Sequence, residues 1–282
     1  MTVSFVVFFL TFAVIGAVIA RIPAPDFLAN LPVQIAALCG IGAVVFVLAR
    51  AFDVSPAAYG LQMDRRWISD LLGGAAIGIL FQAVSTAAII ITGPGTVVDR
   101  WSKGVFDSPA TIAMTLGATV LAFFIIALWE DLLFSGVLIR ELVVAFGSQG
   151  VSRTVATGSA VVMSALVFGM LHVNAGAAGL STPVVVLQAV VGGLYFGTAY
   201  VLTDSLALPV GIHFSTNLWT TVVFGQPESG FPAAFRLTRP FALGVELIIV
   251  LFFPVGILLL AVFLWVRATR GEVPEASLRA TT

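Results

Sequence analysis

Charge is what this sequence has least of. Only 10% of its 282 residues are Asp, Glu, Lys or Arg, while 60% are hydrophobic. Soluble domains carry roughly 25% charged residues, and a soluble fold of this length could not hide so much apolar surface. The formal net charge is −1, which excludes the basic surface that nucleic acid or another polyanion would require. The one cysteine, Cys39, excludes an internal disulfide. Set in an apolar run, it reads as a small buried residue. There are two histidines and no HExxH pair, so no helical zinc-protease signature is present. No serine or cysteine stands in a nucleophile context, and no internal repeat is evident.

Long apolar runs take the place of these features. A bilayer crossing needs about 20 mostly apolar residues, and eight runs qualify: 3–20, 33–49, 70–92, 112–145, 154–174, 183–203, 206–224 and 242–266. The first lacks a basic leader and exceeds the ~7–15 apolar residues of a signal peptide, so it reads as a membrane helix. The fourth is too long for a straight crossing. Backbone groups in lipid must be paired within the segment, so the spans are expected to be helices. The expectation is an all-α integral membrane protein of about eight transmembrane helices enclosing a polar intramembrane cavity. Residues 1–266 form one polytopic domain, and 267–282 a polar tail. Breakers fall between the runs, at Pro23, Pro25 and Pro32, at Gly93-Pro94-Gly95, and at Pro227, Pro232 and Pro240. Arg50, Arg65, Arg66, Arg140, Arg153, Arg267, Arg270 and Arg279 fall on one side, against Arg21, Arg100, Lys103, Arg236 and Arg239 on the other. The first group is the larger, which puts both termini in the cytoplasm and the chain in the cell membrane. Trp101, Trp219 and Trp265 read as interfacial anchors. Asp204 and Glu246 read as lying near interfaces, and Gly192-Gly193 as a site of close helix packing.

Ionisable groups inside a membrane are costly and mark function by default. Glu130 and Asp131 lie within the fourth run. His172 ends the run SALVFGMLH. His213 lies in LPVGIHFSTNLW, four residues before Asn217. Residues four apart share a helix face, so His213 and Asn217 point the same way, as do Phe168 and His172. Asp131 is rotated about 100° from Glu130, so one carboxylate faces a given cavity and the other needs a different partner. A carboxylate and two imidazoles can activate water, and an asparagine amide can donate to an oxyanion. His172 and His213 with one carboxylate could instead hold zinc, with water in the fourth position. Phe168 reads as packing. A proton-coupled transporter also uses such groups, but no paired broken helices in two halves are present.

The motifs occur in a recognisable order. Glu130-Asp131-Leu132-Leu133-Phe134-Ser135-Gly136 is followed by Phe168 and His172 as FxxxH, and then by His213 and Asn217 as HxxxN. Asp204-Ser205-Leu206-Ala207-Leu208-Pro209 leads into the last motif. Over roughly 115–225 this resembles the CPBP intramembrane proteases, the CAAX protease and bacteriocin-processing family that includes the Rce1-type endopeptidases. The resemblance implies that Glu130 and His172 activate the attacking water and that His213 and Asn217 hold the oxyanion. It also implies a membrane-associated peptide or protein substrate. Two departures stand out. The second glutamate of the EExxxR pattern is Asp131, and its arginine is Ser135. Arg140 lies too far along the helix to replace it directly. The missing cation keeps a non-proteolytic scaffold or immunity-type membrane protein as the alternative.

Overall fold

The computed structural model describes residues 31–92, 96–99, 108–173, 182–223, 235–238 and 253–271. The run 3–20 lies outside the described residues. So do Trp101, Glu246, the loop prolines at 23, 25, 94, 227, 232 and 240, and the tail beyond 271.

Helices dominate the described chain. They are α1 (Leu31–Phe52), α2 (Arg65–Thr92), α3 (Pro109–Asp131), α4 (Arg140–Ser148), α5 (Arg153–Met170), α6 (Thr182–Thr203), α7 (Ala207–Leu218) and α8 (Phe253–Arg270). A π-helical stretch, Leu132–Ile139, joins α3 to α4, and a π-turn, Trp219–Val223, extends α7. A two-stranded antiparallel ribbon pairs β1 (Thr96–Asp99) with β2 (Phe235–Thr238), with Thr96 opposite Thr238. Among the described residues, five stretches are long and apolar enough to cross a bilayer: Leu31–Phe52, Arg65–Ala88, Ile112–Ser148, Arg153–Met170 and Thr182–Thr203. The protein is membrane-embedded. The expected span 206–224 corresponds to the shorter α7 with its π-turn, and the described part of the last span is α8.

The fourth run is one unbroken helix. Ile112–Ser148 contains 37 residues, about 55 Å at 1.5 Å per residue, well beyond a hydrocarbon core of about 30 Å. The π stretch falls immediately after Glu130 and Asp131, and all eight of its residues are buried. Such wide turns cluster at functional sites because they re-aim the side chains around them.

α7 lies at the centre, packed against α2, α3 and α6. Its contact with α2 is backbone on backbone. A Cβ on Gly74 would strike the Leu208 carbonyl, and one on Gly211 would strike the Leu71 carbonyl. Close approach of this kind is how helices associate in lipid, where lipid is as apolar as any side chain. The Gly192–Gly193 region behaves as expected, with Gly193 placing its missing Cβ 2.8 Å from Ala165 Cα on α5.

One sequence expectation needs correction. Cys39 is exposed, not buried. The buried face of α1 is Ala36, Ala37, Gly40, Ile41, Val44, Val45 and Leu48, and Cys39 falls on the other face. Hydropathy cannot separate the two faces of a helix whose outer side meets lipid. Trp219 and Trp265 spend their indole N–H groups inside the protein, on Thr86 Oγ1 (3.3 Å) and Asp70 Oδ1 (2.9 Å).

Candidate active site

The end of α3 presents two adjacent carboxylates, and α7 brings one imidazole between them. His213 Nε2 lies 3.5 Å from Glu130 Oε2, and His213 Nδ1 lies 3.4 Å from Asp131 Oδ2. The second contact is at ion-pair distance but off the line of a hydrogen bond. The expectation that the acids need separate partners is therefore wrong for this fold. A histidine carries nitrogens on two edges of its ring, so one side chain seated between the acids meets both.

The two acids differ in access. The Glu130 side chain is 13% exposed and that of Asp131 3%. Glu130 is thus the more exposed acid, while Asp131 is closed in behind His213.

His172 sits in the turn that follows α5. Its Nδ1 donates to the Phe168 carbonyl at 2.8 Å, which leaves Nε2 as the acceptor nitrogen. Phe168 links the two histidines, with ring centroids 4.6 Å from His172 and 6.0 Å from His213. The residue read as packing is therefore also the floor between both imidazoles. Asn217 is half-buried one turn beyond His213, in the last turn of α7.

Ser135 is 2% exposed within the π stretch, so serine's small volume stands where the motif has arginine. Arg140 is engaged elsewhere. It donates to the Ala58 carbonyl at 2.8 Å and lies over the Tyr59 ring. Ser164 on α5 donates to the Phe134 carbonyl at 2.8 Å, tying the π stretch to the histidine-bearing arm.

The zinc reading can be tested against these donors. Both nitrogens of His213 face carboxylate oxygens, which leaves His172 Nε2 as the one histidine nitrogen open to a metal. Among the described residues no three or more His, Cys, Asp or Glu side chains form a metal-holding group. The arrangement does not fit a zinc site.

One contact has no counterpart in the motifs. Phe196 on α6 stacks on His213 with centroids 4.3 Å apart and planes 20° apart. Its only sequence signal is its place in Gly-Gly-Leu-Tyr-Phe-Gly, a run that reads as close packing.

Comparison with known proteins agrees with the motif order. Residues 112–219 match the family described as type II CAAX prenyl endopeptidase Rce1-like. Neither a curated protein nor a solved structure is matched. The matched stretch runs from the helix that carries the acid pair through His172, His213 and Asn217, and over it the chain is similar to the CAAX-type membrane proteases.

Proposed function

We propose that this protein is an intramembrane endopeptidase that hydrolyses a peptide bond by water attack, without a metal. The observation that carries the reading is the meeting of Glu130, Asp131 and His213, drawn from two separate motifs, in a buried polar cluster inside an apolar bundle. Buried acids without a task would be costly in such surroundings. Glu130, the more accessible acid, takes the proton of the attacking water. His172 assists through its acceptor Nε2. Nε2 of His213 and the Asn217 amide face the same side of α7 and stabilise the oxyanion of the tetrahedral intermediate. Asp131 acts behind His213, holding Nδ1 so that Nε2 stays turned toward the reacting side. Flanked by both acids, His213 carries a proton on each nitrogen, which is what lets Nε2 donate to the oxyanion.

The substrate class is a membrane-associated peptide or protein, and the chain is taken as one polytopic domain over 1–266 with both termini cytoplasmic. The name of the matched family directs attention to prenylated C-terminal peptides. A quenched fluorescent peptide ending in a farnesylated CAAX box, and its unprenylated twin, would be offered to the protein in proteoliposomes. Glu130→Ala, His172→Ala and His213→Ala are each expected to abolish cleavage while expression and membrane insertion persist. Cleavage retained by Glu130→Ala would refute the mechanism.

A second reading, a non-proteolytic scaffold on the same fold, is favoured by Ser135. It predicts that the three variants keep full biological function.

A further inference from the structure

Phe196 lies on α6, which carries none of the three motifs, yet it makes the closest ring contact to His213. The two rings lie nearly parallel, with centroids 4.3 Å apart. Phe168 meets the same imidazole edge-on, at 6.0 Å and 88°, and meets Phe196 edge-on at 6.3 Å and 85°. The imidazole is thus bounded on one face by Phe196 and at an edge by Phe168. Phe196 has little freedom to withdraw. It is 5% exposed, and Tyr195 meets its ring edge-on at 4.6 Å. The backbone of α6 is pinned on both sides of it. A Cβ on Gly193 would lie 2.8 Å from Ala165 Cα, and one on Gly197 would lie 3.0 Å from Ile139 Cδ1.

The imidazole needs such confinement. Its two contacts with the acids, 3.5 Å at Nε2 and 3.4 Å at Nδ1, depend on a single ring plane. Rotation about the Cβ–Cγ bond swings both nitrogens out of line together. That bond joins an sp³ to an sp² centre, with a broad torsional preference of its own, so the plane must be set by neighbours.

We infer that Phe196 is a positioning residue for His213, its ring fixing the imidazole plane so that Nδ1 and Nε2 face Asp131 and Glu130 at once. A mere core filler could be exchanged for an aliphatic of similar bulk at a cost in stability alone, and His213 would point as before. The consequence for turnover rests on the hydrolytic reading. The orientation of His213 does not, and is read without substrate.

The chain has two histidines, so histidine-selective 13C and 15N labelling of the detergent-solubilised protein gives two imidazole signals, assigned with His172→Gln. Phe196→Leu and Phe196→Met remove the ring, and Phe196→Tyr keeps it. Expected in both ring-less variants is a downfield move of the His213 ring protons, because shielding by the stacked face is lost. Its 15N shifts should change as well, because the carboxylate contacts loosen. Phe196→Tyr should retain the native pattern. Turnover of any cleaved peptide should fall roughly tenfold or more with KM unchanged, since small misplacements of a reacting group cost this much. Unchanged His213 15N shifts in a folded ring-less variant would overturn the inference. If neither ring-less variant folds, the native protein decides. A cross-relaxation contact between the Phe196 and His213 rings supports the placement, and its absence overturns it. Failure of the native protein to cleave would count against the protease reading and leave the His213 signature standing.

Discussion

Asp131 has one methylene fewer than the glutamate its motif leads one to expect, and its side chain still comes within 3.4 Å of His213 Nδ1. A shorter acid suffices because His213 comes to it on α7. Asp131→Asn keeps the volume and one oxygen but removes the charge, and the amide can present its N–H₂ to Nδ1 instead. His213 then loses the negative charge beside Nδ1. The expected result is a fall in turnover of about 100-fold with KM nearly unchanged, because Asp131 is closed in behind His213. Steady-state cleavage by Asp131→Asn beside native protein checks this, and native turnover in the variant would remove Asp131 from the mechanism. The acid pair itself is plainly legible in the sequence as two carboxylates in an apolar run. The shared partner is not. Helical spacing treats each acid as a direction from one axis, whereas the imidazole between them arrives from a helix some eighty positions away and presents two edges.

α7 owes its position to glycine. The missing Cβ of Gly78 would lie 2.8 Å from the Ile212 carbonyl, and that of Gly211 2.8 Å from the Ala75 amide nitrogen. Because α2 and α7 touch through backbone, a single methyl group has nowhere to go and the helices must separate. His213 is two residues from Gly211, so any separation moves it relative to α3. Gly211→Ala is expected to cost about 1–3 kcal/mol, the usual range for overpacking, and to lower cleavage. Gly42→Ala, with nothing within 4 Å of its Cβ, serves as the control and should leave cleavage unaltered and stability equal or slightly raised. Unfolding titrations in mixed micelles measure the difference, and equal behaviour of the two variants would refute the packing role of Gly211. The Gly74-x-x-x-Gly78 spacing is as visible in the sequence as the glycines at 192 and 193. The helix it packs against is not, because spacing identifies a flat face and says nothing about which neighbour lies on it. The π stretch at Leu132–Ile139 is likewise invisible beforehand, since its residues are as apolar as those of an ordinary buried helix.

At the scale of the whole molecule, hydropathy reveals that the chain belongs in lipid but not which way its helices face. Phe46 and Leu72 are 61% and 65% exposed, and Cys39 shares that outward side, because an apolar environment lies on both sides of every helix. Polar side chains are then the informative contacts between distant parts of the chain. Asp70 on α2 is 1% exposed. It accepts from Arg270 Nη2 at 2.6 Å and from Trp265 Nε1 at 2.9 Å, both on α8. A Cβ on Gly73 would run into the Trp265 indole, so the clasp closes over a bare stretch of α2. This one carboxylate fastens the last described helix to the helix that also supports α7. Removing one member of a buried pair leaves the other charge uncompensated, which typically costs 3–5 kcal/mol, while replacing both by apolar residues is often close to neutral. Asp70→Leu alone should therefore destabilise the protein by roughly 3 kcal/mol or more. The double variant Asp70→Leu, Arg270→Leu should recover much of that loss, though not the part due to the Trp265 hydrogen bond. Unfolding of the two single variants and the double variant in detergent completes a thermodynamic cycle. Additive losses would mean that Asp70 and Arg270 stabilise the bundle independently, and α8 would then be held by the Trp265 contact and apolar packing alone.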